Sequence, residues 1–346
     1  MTIVEVARPV TGGVDTHLDV HVAAALDSIG GLLGVESFPT TPAGYRSLVD
    51  WMTTFGPLHR VGVEGTGAYG AGLARYLAHC GVEVIEVDRA NRQARRAHGK
   101  SDPADAVEAA RAAQSGRASG FAKSRDGNVE AIRTLIVARR SARDMRIKSI
   151  NQIRHLSFTA PDELRERLRP LTATMLPRAA AALRPRAGND PVLHATKVAI
   201  ATLGRRVVAL DAEAKVIDKL LGELVAATAP SLLALYGVGI DTAASLLVAA
   251  GDNPQRLRSE AAWAHLCGVA PIQASSGKVT RHRLNRGGNR QANSALWRIV
   301  MVRMVSDPRT RDYVERRVKE GCSKLEIIRV LKRYVAREVY PHLPRD

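Results

Sequence analysis

The stretch "GGVDTHLDVHVAAALD", residues 12–27, decides the fold of the N-terminal part of the chain. Its alternating apolar positions predict a strand that turns and returns as a second strand. Two more short apolar runs, "HRVGVEGTG" (59–67) and "VEVIEVD" (82–88), predict further strands. Helical patterns follow in "AYGAGLARYLAHCG" (68–81) and "DPADAVEAARAAQSG" (102–116). Strands that precede the helices covering them indicate a layered α/β domain.

Four carboxylates occupy unusual places in this predicted domain. Asp15 lies within the first strand, and Glu64 ends a later one. A charge inside an apolar strand needs a partner or a metal ion. Asp102 and Asp105 stand at the start of a predicted helix that could meet those strand ends. Four such oxygen donors suit two Mg²⁺ ions of the kind that cleave phosphodiesters.

The two aspartates of the helix have a simpler interpretation as well. Asp102 precedes Pro103, and proline favours the first position of a helix. Asp102 would then be the N-cap residue, and Asp105, at the third helical position, would complement the helix dipole. Under this alternative both side chains only begin the helix and hold no ion.

The charge of the chain predicts a polyanionic partner. The 346 residues include 51 Lys and Arg against 34 Asp and Glu, a formal net charge of +17. Residues 89–143 hold 13 basic and 5 acidic side chains, and residues 276–338 hold 17 and 6. Such a balance favours nucleic acid over a membrane surface. The low aromatic content of 4% argues against base-stacking platforms.

Cysteine and histidine usage argues against zinc and disulfides. Three cysteines lie far apart without a CxxC pair, which fits a reducing cytoplasm. No spacing pairs His17, His265 or His282, so we expect none of them to be a metal ligand. No signal peptide is evident, and no apolar run approaches the roughly 20 residues of a membrane span. We therefore expect a cytoplasmic protein.

The middle of the chain carries a regular apolar repeat. A long charged helix is predicted over 128–158, and a proline-containing connector follows over 161–191. The repeat has alternating spacings of 3 and 4 residues and comprises Ile200, Leu203, Val207, Leu210, Ala214, Ile217, Leu221 and Leu224. It predicts a coiled coil within or between chains, with an amphipathic helix packed on its own domain as the alternative.

The C-terminal part, residues 230–340, is predicted to be helical with one irregular basic loop. Gly237-Val238-Gly239 lies between two helices, as in a helix-hairpin-helix element that approaches phosphate, or in a plain helical turn. The loop belongs to "CGVAPIQASSGKVTRHRLNRGGNRQANSALW" (267–297), and a long basic loop between helices is typical of function. The candidate nucleic-acid contacts are Gly237, Gly239, Lys278, Arg281, Arg283, Arg286 and Arg290.

These segments, in this order and spacing, resemble a known family. "GVDTHLDVHVAAALD", "VGVEGTGAYG" and "KSDPADA" resemble the N-terminal Asp-Glu-Asp-Asp (DEDD) domain of the insertion sequence 110 transposases. "LYGVGIDTAASLLVAAGD", "AAWAHLCGVAPIQASSGK" and "NRGGNRQANSALW" resemble their C-terminal domain. The resemblance implies an RNase H-like, RuvC-like domain over 1–125. It also implies a helical coiled-coil spacer over 126–229 and a mostly helical transposase domain over 230–346.

The resemblance also implies roles for single residues. Asp15, Glu64, Asp102 and Asp105 would ligate two Mg²⁺ ions, and Ser276, the serine directly before the glycine of "PIQASSG", would be the nucleophile. Ser275 takes that role if the register is off by one. The serine would attack a DNA phosphodiester and form a phosphoserine link, and strand exchange and religation would follow.

Partners and departures complete the resemblance. It implies DNA, a structured guide RNA encoded by the element, and a dimer or tetramer in the bacterial cytoplasm, associated with the nucleoid when acting. "NRGGNR" keeps Arg286, but Asn293 stands where many members have an arginine. Two other readings remain open: a metal-dependent nuclease or junction resolvase without a serine nucleophile, and a DNA-binding protein without catalysis.

Overall fold

The computed structural model describes residues 8–87, 101–118, 120–186, 190–253, 257–275 and 278–344. Its contacts divide the chain into two compact units. The first comprises Met1–Glu130, Ala249–Asn293 and Lys332–Asp346, and the second comprises Ala131–Val248 and Ser294–Leu331. The division into domains at 125 and 229 stays a prediction.

A mixed six-stranded sheet forms the centre of the first unit. Its strands are β1 (Val10–Thr16), β2 (Val20–Leu26), β3 (Leu32–Pro39), β4 (Leu58–Glu64), β5 (Glu83–Val87) and β6 (Gly120–Phe121). They lie in the order β3-β2-β1-β4-β5-β6. The first three are antiparallel, β1, β4 and β5 are parallel, and β6 is antiparallel to β5. The α/β prediction is confirmed, and the topology is consistent with an RNase H-like domain.

Helices cover both faces of this sheet. They are α1 (Pro42–Thr53), α2 (Ala71–His79) and α3 (Asp102–Gln114). On one face Val14 packs in a core with Leu48 of α1 and Leu73 of α2. On the other face Val22 and Ala106 of α3 form a smaller cluster. Because side chains alternate along a strand, β1 buries residues against both layers.

The backbone of α3 lies directly on the sheet. A Cβ added to Gly13 on β1 would lie 2.2 Å from the amide nitrogen of Ala110. A Cβ added to Gly62 on β4 would lie 2.4 Å from the carbonyl oxygen of Ala109. Only glycine leaves room for so close an approach. The two glycines therefore set how near α3 stands to the strands that carry Asp15 and Glu64.

The start of α3 differs from the capping alternative. The N-cap residue is Ser101, whose Oγ accepts a hydrogen bond from the Ala104 N–H at 3.4 Å. Asp102 is the first helical residue and Asp105 the fourth. Pro103 is tolerated at the second position because its missing N–H is one that the first turn leaves unpaired. The interpretation of Asp102 as the cap is wrong by one residue.

A later part of the chain completes the first unit. It contains α10 (Glu260–Leu266), β7 (Ile272–Gln273) and β8 (His282–Arg283). Asp252 caps the helix that begins at Asn128 by accepting from the Val129 N–H at 2.8 Å. Asn253 Nδ2 donates to the Ala122 carbonyl at 2.8 Å. These bonds hold the segment beside β6.

The second unit is helical. Within the described residues the remaining helices are α4 (Asn128–Phe158), α5 (Asp162–Leu168), α6 (Leu176–Ala181), α7 (Pro191–Thr228), α8 (Pro230–Leu233), α9 (Ile240–Ala250), α11 (Arg290–Ser306), α12 (Pro308–Lys319) and α13 (Lys324–Val339), with a 3₁₀ turn at Tyr340–His342. Arg146 of α4 pairs with Asp211 of α7 at 2.5 Å, and Arg139 pairs with Asp218. This register makes α4 and α7 antiparallel neighbours.

The apolar repeat lies along α7 and turns toward its own chain. Ile200, Val207, Ile217 and Leu221 are buried, and the other four members are half-buried. The first part of the repeat packs against Ile150 and other residues of the same core. For its first part, the repeat therefore matches the alternative of an amphipathic helix packed on its own domain. A coiled coil between chains stays a prediction.

The Gly-Val-Gly element connects α8 to α9. Gly237 has φ +77°, which glycine adopts without strain. The Gly239 N–H donates to Thr242 Oγ1 at 3.0 Å, and the Thr242 hydroxyl donates back to the Gly239 carbonyl at 2.9 Å. Thr242 therefore already bonds the amide that a phosphate would need, and the helix-hairpin-helix interpretation stays a prediction.

In the part of the chain that the structure describes, no helix has the length and apolarity to cross a membrane.

Candidate metal centre

Two carboxylates come together where parallel strands end. Asp15 lies near the end of β1 and is buried, and Glu64 is the last residue of β4. The register pairs Val14 with Val63, so the next residues along the two strands are Asp15 and Glu64. The Thr16 hydroxyl donates to the Glu64 carbonyl at 2.7 Å and fixes the two strand ends together. The carboxyl ends of β1 and β4 therefore carry the two acids on neighbouring strands.

His17 links Asp15 to the helix. Its Nε2 lies 3.1 Å from Asp15 Oδ2 and 3.5 Å from Asp102 Oδ2. One donor atom from each of the three side chains lies within 4.8 Å of the other two. Asp15 is 9% exposed at its side chain, while His17 and Asp102 are 41% and 46% exposed. Asp15 therefore lies at the buried inner side of the group, and His17 and Asp102 lie at its solvent-exposed outer side.

The electrostatics of the site act on Asp15. Burial raises the pKa of the Asp15 carboxyl above its ordinary value, and the negative charges of Asp105 and Asp102 raise it further. His17 opposes them through its charge and its hydrogen bond. Asp105 is itself buried, on the turn of α3 after Asp102. The carboxylates therefore crowd one another, which a bound cation would relieve.

The structure thus brings the four predicted acids to one end of the sheet, at different depths. Asp15 and Asp102 meet through His17, Asp105 acts on Asp15 by its charge, and Glu64 ends the neighbouring strand. Sequence reasoning missed His17, because it compared histidines only with other histidines. The useful signal was its position two residues after Asp15, since such residues share one face of a strand.

The described residues on either side of the predicted nucleophile pair as two short antiparallel strands, here called the hairpin. β7 and β8 pair Ile272 with Arg283, and the Ala274 N–H donates to the Arg281 carbonyl at 2.8 Å. Ser275 Oγ accepts from the Arg281 N–H at 3.2 Å, so this serine closes the hairpin. Ser276 lies outside the described residues.

Asparagines fasten the base of this hairpin. Asn285 Nδ2 donates to the His265 carbonyl at 3.0 Å, and the Asn289 N–H donates to the Leu266 carbonyl. Asn293 Nδ2 donates to the Cys267 carbonyl at 2.8 Å, and its oxygen accepts from Lys332 Nζ at 2.8 Å. Asn293 therefore connects this segment to α13 and has a structural role in this chain.

The candidate cations of the loop face solvent. Among the described residues no carboxylate forms an ion pair with any of them, and all are exposed: Lys278, Arg281, Arg283, Arg286 and Arg290. His282, between two of them on β8, is exposed as well. Exposed cations on one loop can contact a phosphate backbone.

Comparison with known proteins assigns the family. A model of DEDD transposases of IS110 matches residues 12–159, and a model of the transposase IS116/IS110/IS902 family matches residues 229–315. The chain belongs to the IS110 family of transposases. The insertion element IS110 uncharacterized 43.6 kDa protein of Streptomyces coelicolor is 35% identical to it over 105 residues. That match covers 30% of this chain and 26% of the Streptomyces protein, about a quarter of its length. The resemblance found in the sequence is confirmed.

The two matches place the candidate residues of this IS110-family chain in separate segments. The first match begins within β1 and includes β2 to β6 and the four acids, and the second contains the Gly-Val-Gly turn, the hairpin and Ser276. Asp15, His17 and Asp102, at this end of the sheet, fit a divalent cation, because two carboxylates and an imidazole lie close enough to share one ion.

Proposed function

We propose that this chain is the transposase of an insertion element, which cuts and rejoins DNA through a phosphoserine intermediate. Asp15, Glu64, Asp102 and Asp105 hold divalent cations, two Mg²⁺ in the simplest form, and Ser276 is the nucleophile. One observation carries the proposal: acids from two parallel strands and a helix gather at one sheet end in a chain of this family.

The carboxylates supply the acidic half of the chemistry. When bound, divalent cations neutralise the phosphate that is attacked and stabilise the oxygen that leaves. Asp15, held at the buried base, and Asp102, at the open side, would be ligands from two different elements. Because Ser101 caps the helix, Asp102 is not needed for capping, which favours the metal role over the alternative.

The serine supplies the covalent half. The Ser276 hydroxyl oxygen forms a bond to phosphorus as the bond from phosphorus to one nucleoside oxygen breaks. The serine proton passes to a base, and the leaving oxygen takes up a proton. Reversal by the hydroxyl of another strand restores a phosphodiester and frees the serine, so no external energy source is consumed. The hairpin and the carboxylates belong to the same compact unit, which supports a shared reaction.

A covalent adduct tests this chemistry. The purified protein is mixed with a labelled DNA carrying the genomic flanks of its coding region and separated on a denaturing gel. We expect a band of protein joined to DNA that Ser276→Ala abolishes and Ser275→Ala retains. Cleavage without any adduct in the wild type would instead identify the alternative, a metal-dependent nuclease or junction resolvase.

Partners follow from charge and family. We propose DNA and a structured guide RNA as ligands of the exposed cations on the β7–β8 hairpin and the loop after it. Sequencing of the nucleic acids that co-purify with the protein identifies both. We also propose a dimer or tetramer, in which the half-buried members of the α7 repeat after Val207 contact a second copy. A strictly monomeric active enzyme in light scattering would contradict the oligomer alone.

A further inference from the structure

The turn that carries His17 is fixed from outside. His17 is the first residue after β1, and its carbonyl accepts a hydrogen bond from the Thr40 hydroxyl at 3.2 Å. The Thr40 N–H donates to the Asp19 carbonyl of the same turn at 2.9 Å. Thr40 thus holds the turn at both ends. The imidazole is presented from a constrained backbone rather than from a free loop.

Two of the three donor spacings are close to those of neighbouring ligands in a coordination shell, and the third is below 4.8 Å. Neighbouring ligands of an octahedral ion at about 2.1 Å stand about 3.0 Å apart. His17 Nε2 lies 3.1 Å from the Asp15 oxygen and 3.5 Å from the Asp102 oxygen. An ion could therefore be shared by all three with only a small movement of Asp102, whose side chain lies on the open side.

We infer that His17 is a direct ligand of a divalent cation, through Nε2, and that this nitrogen gives the centre a preference for Mn²⁺ over Mg²⁺. The inference rests on the proposed metal centre and adds a ligand outside the four acids. Mg²⁺ takes oxygen donors and keeps several of its waters. Mn²⁺ also suits carboxylates, but it belongs to the first-row transition series and accepts an imidazole nitrogen more readily than Mg²⁺ does. A site with one imidazole among carboxylates therefore discriminates between two ions that an all-oxygen site treats more alike.

The other role open to His17 is a hydrogen bond that only positions Asp15. The same 3.1 Å distance serves an N–H donor and a pair of ligands on one ion. The two roles differ in one measurable respect. A ligating nitrogen shares electron spin with bound Mn²⁺, whereas a nitrogen that donates to Asp15 cannot bind the ion.

Pulsed electron paramagnetic resonance of Mn²⁺ on the full-length protein tests the inference. We expect ¹⁴N modulation of the strength given by a directly bound imidazole, which ¹⁵N-histidine labelling converts to ¹⁵N. His17→Gln should remove it, and His79→Gln, an exposed histidine at the end of α2, should not. Titration with each ion should show that His17→Gln loses about 10-fold or more in Mn²⁺ affinity and less in Mg²⁺ affinity.

Each outcome decides between the proposals. Mn²⁺ that binds the wild type without nitrogen modulation overturns the role of His17 and leaves the metal centre standing. No Mn²⁺ or Mg²⁺ binding at all overturns the metal centre and, with it, this inference. Circular dichroism checks that His17→Gln is folded, and His17→Asp, which keeps a donor but offers oxygen, should bind Mn²⁺ without the modulation.

Discussion

At the scale of single residues, the site is a balance between burial and charge at Asp15. The carboxyl is buried beside two other acids, and this environment raises its pKa. A folded state that holds its proton more tightly than the unfolded chain loses stability as the pH rises past the ordinary pKa. Near neutral pH the ionised Asp15 therefore contributes least to the stability of the metal-free protein. A bound cation would stabilise the protein most at this pH, because it would neutralise the carboxylate.

Asp15→Asn separates these two effects. Without metal at pH 7, we expect the variant to be more stable than the wild type, with a difference that vanishes as the pH falls below the ordinary aspartate range. With an ion at about 100 times its Kd, the wild type should gain about 2.7 kcal/mol and the variant far less. Urea titration with EDTA or metal measures both. Asp50→Asn, exposed on α1, is the control, and an equal metal gain in Asp15→Asn would contradict the assignment.

His21 makes a second prediction at this scale. It is fully buried on β2 and stacks on Tyr45, with ring centroids 5.7 Å apart. Burial, and then the charge of His17, lower the pKa of His21 to about 4. The unfolded chain therefore binds the extra proton first, and stability is lost as the pH falls from about 6.5 toward 4.

His21→Phe should remove this acid sensitivity. Between pH 7 and 4 we expect the wild type to lose on the order of 3 kcal/mol more than the variant in free energy of unfolding. Urea titration over that range measures the difference, and the phenyl ring keeps the stacking on Tyr45. Parallel pH profiles for the two proteins would show that His21 is not the group responsible.

Single residues also mark where sequence reasoning stops. Acids inside apolar strands predicted Asp15 and Glu64, because a buried charge is costly unless something compensates it. The capping alternative named Asp102 because Pro103 follows it, whereas the structure has Ser101 as the cap. Both residue types are good caps, and the backbone at 101 decides which side chain faces the amides. For His17 the sequence offered only its position two residues after Asp15, because its other partner, Asp102, lies on a helix far along the chain.

At the scale of elements, apolar periodicity predicted the buried strands of the sheet and missed the poorly buried ones, β3 and β6. β1 and β2 are almost wholly buried, and both follow the predicted strand-turn-strand pattern. β3 lies at the edge of the sheet and buries only one residue well, so its sequence carries little alternation. Its partner helix α1 went unpredicted with it. Position in the sheet, which periodicity does not encode, explains the difference.

The packing of α3 on the sheet connects the fold to the site. Gly13→Ala would place a methyl group within 2.3 Å of the Ala106 carbonyl oxygen and closer still to Ala110. The helix must then move outward and take Asp102 away from Asp15. We expect a loss of about 1–3 kcal/mol in stability and of about 10-fold or more in metal affinity.

Urea titration and metal titration measure the two effects. Gly120→Ala on β6 is the matched control, because nothing lies within 4 Å of an added Cβ there and its stability should change by no more than about 0.5 kcal/mol. If Gly13→Ala were destabilised but bound metal as tightly as the wild type, the helix would not be what positions Asp102.

At the scale of the whole molecule, the net charge and the family both support the proposed nucleic-acid ligand. The formal net charge is +17, and 17 of the 51 basic residues lie in residues 276–338. Sequence composition alone predicted a polyanionic ligand, because the net charge is a sum over residues and does not depend on the fold. What composition could not show is which cations remain exposed, and the structure leaves the hairpin and its following loop open to solvent.

The salt dependence of DNA binding measures how many of them contact phosphate. Each phosphate contact contributes about 0.9 to the slope of log affinity against log salt concentration. The triple variant Arg281→Ala, Arg283→Ala, Arg286→Ala should therefore reduce the slope by about 3 and weaken binding to all sequences alike. Fluorescence anisotropy with a mixed-sequence duplex at several KCl concentrations gives the slope.

A second triple variant distinguishes contact from overall charge. Arg167→Ala, Arg169→Ala, Arg178→Ala removes the same three charges from exposed positions outside both basic regions. If only net charge mattered, the two variants would lose affinity equally, because long-range attraction depends on the total. If the hairpin arginines bind phosphate directly, only their removal lowers the slope, since only bound cations release counterions from the DNA. Equal slopes in the two variants would therefore remove the loop from the interface while leaving the carboxylate centre untouched.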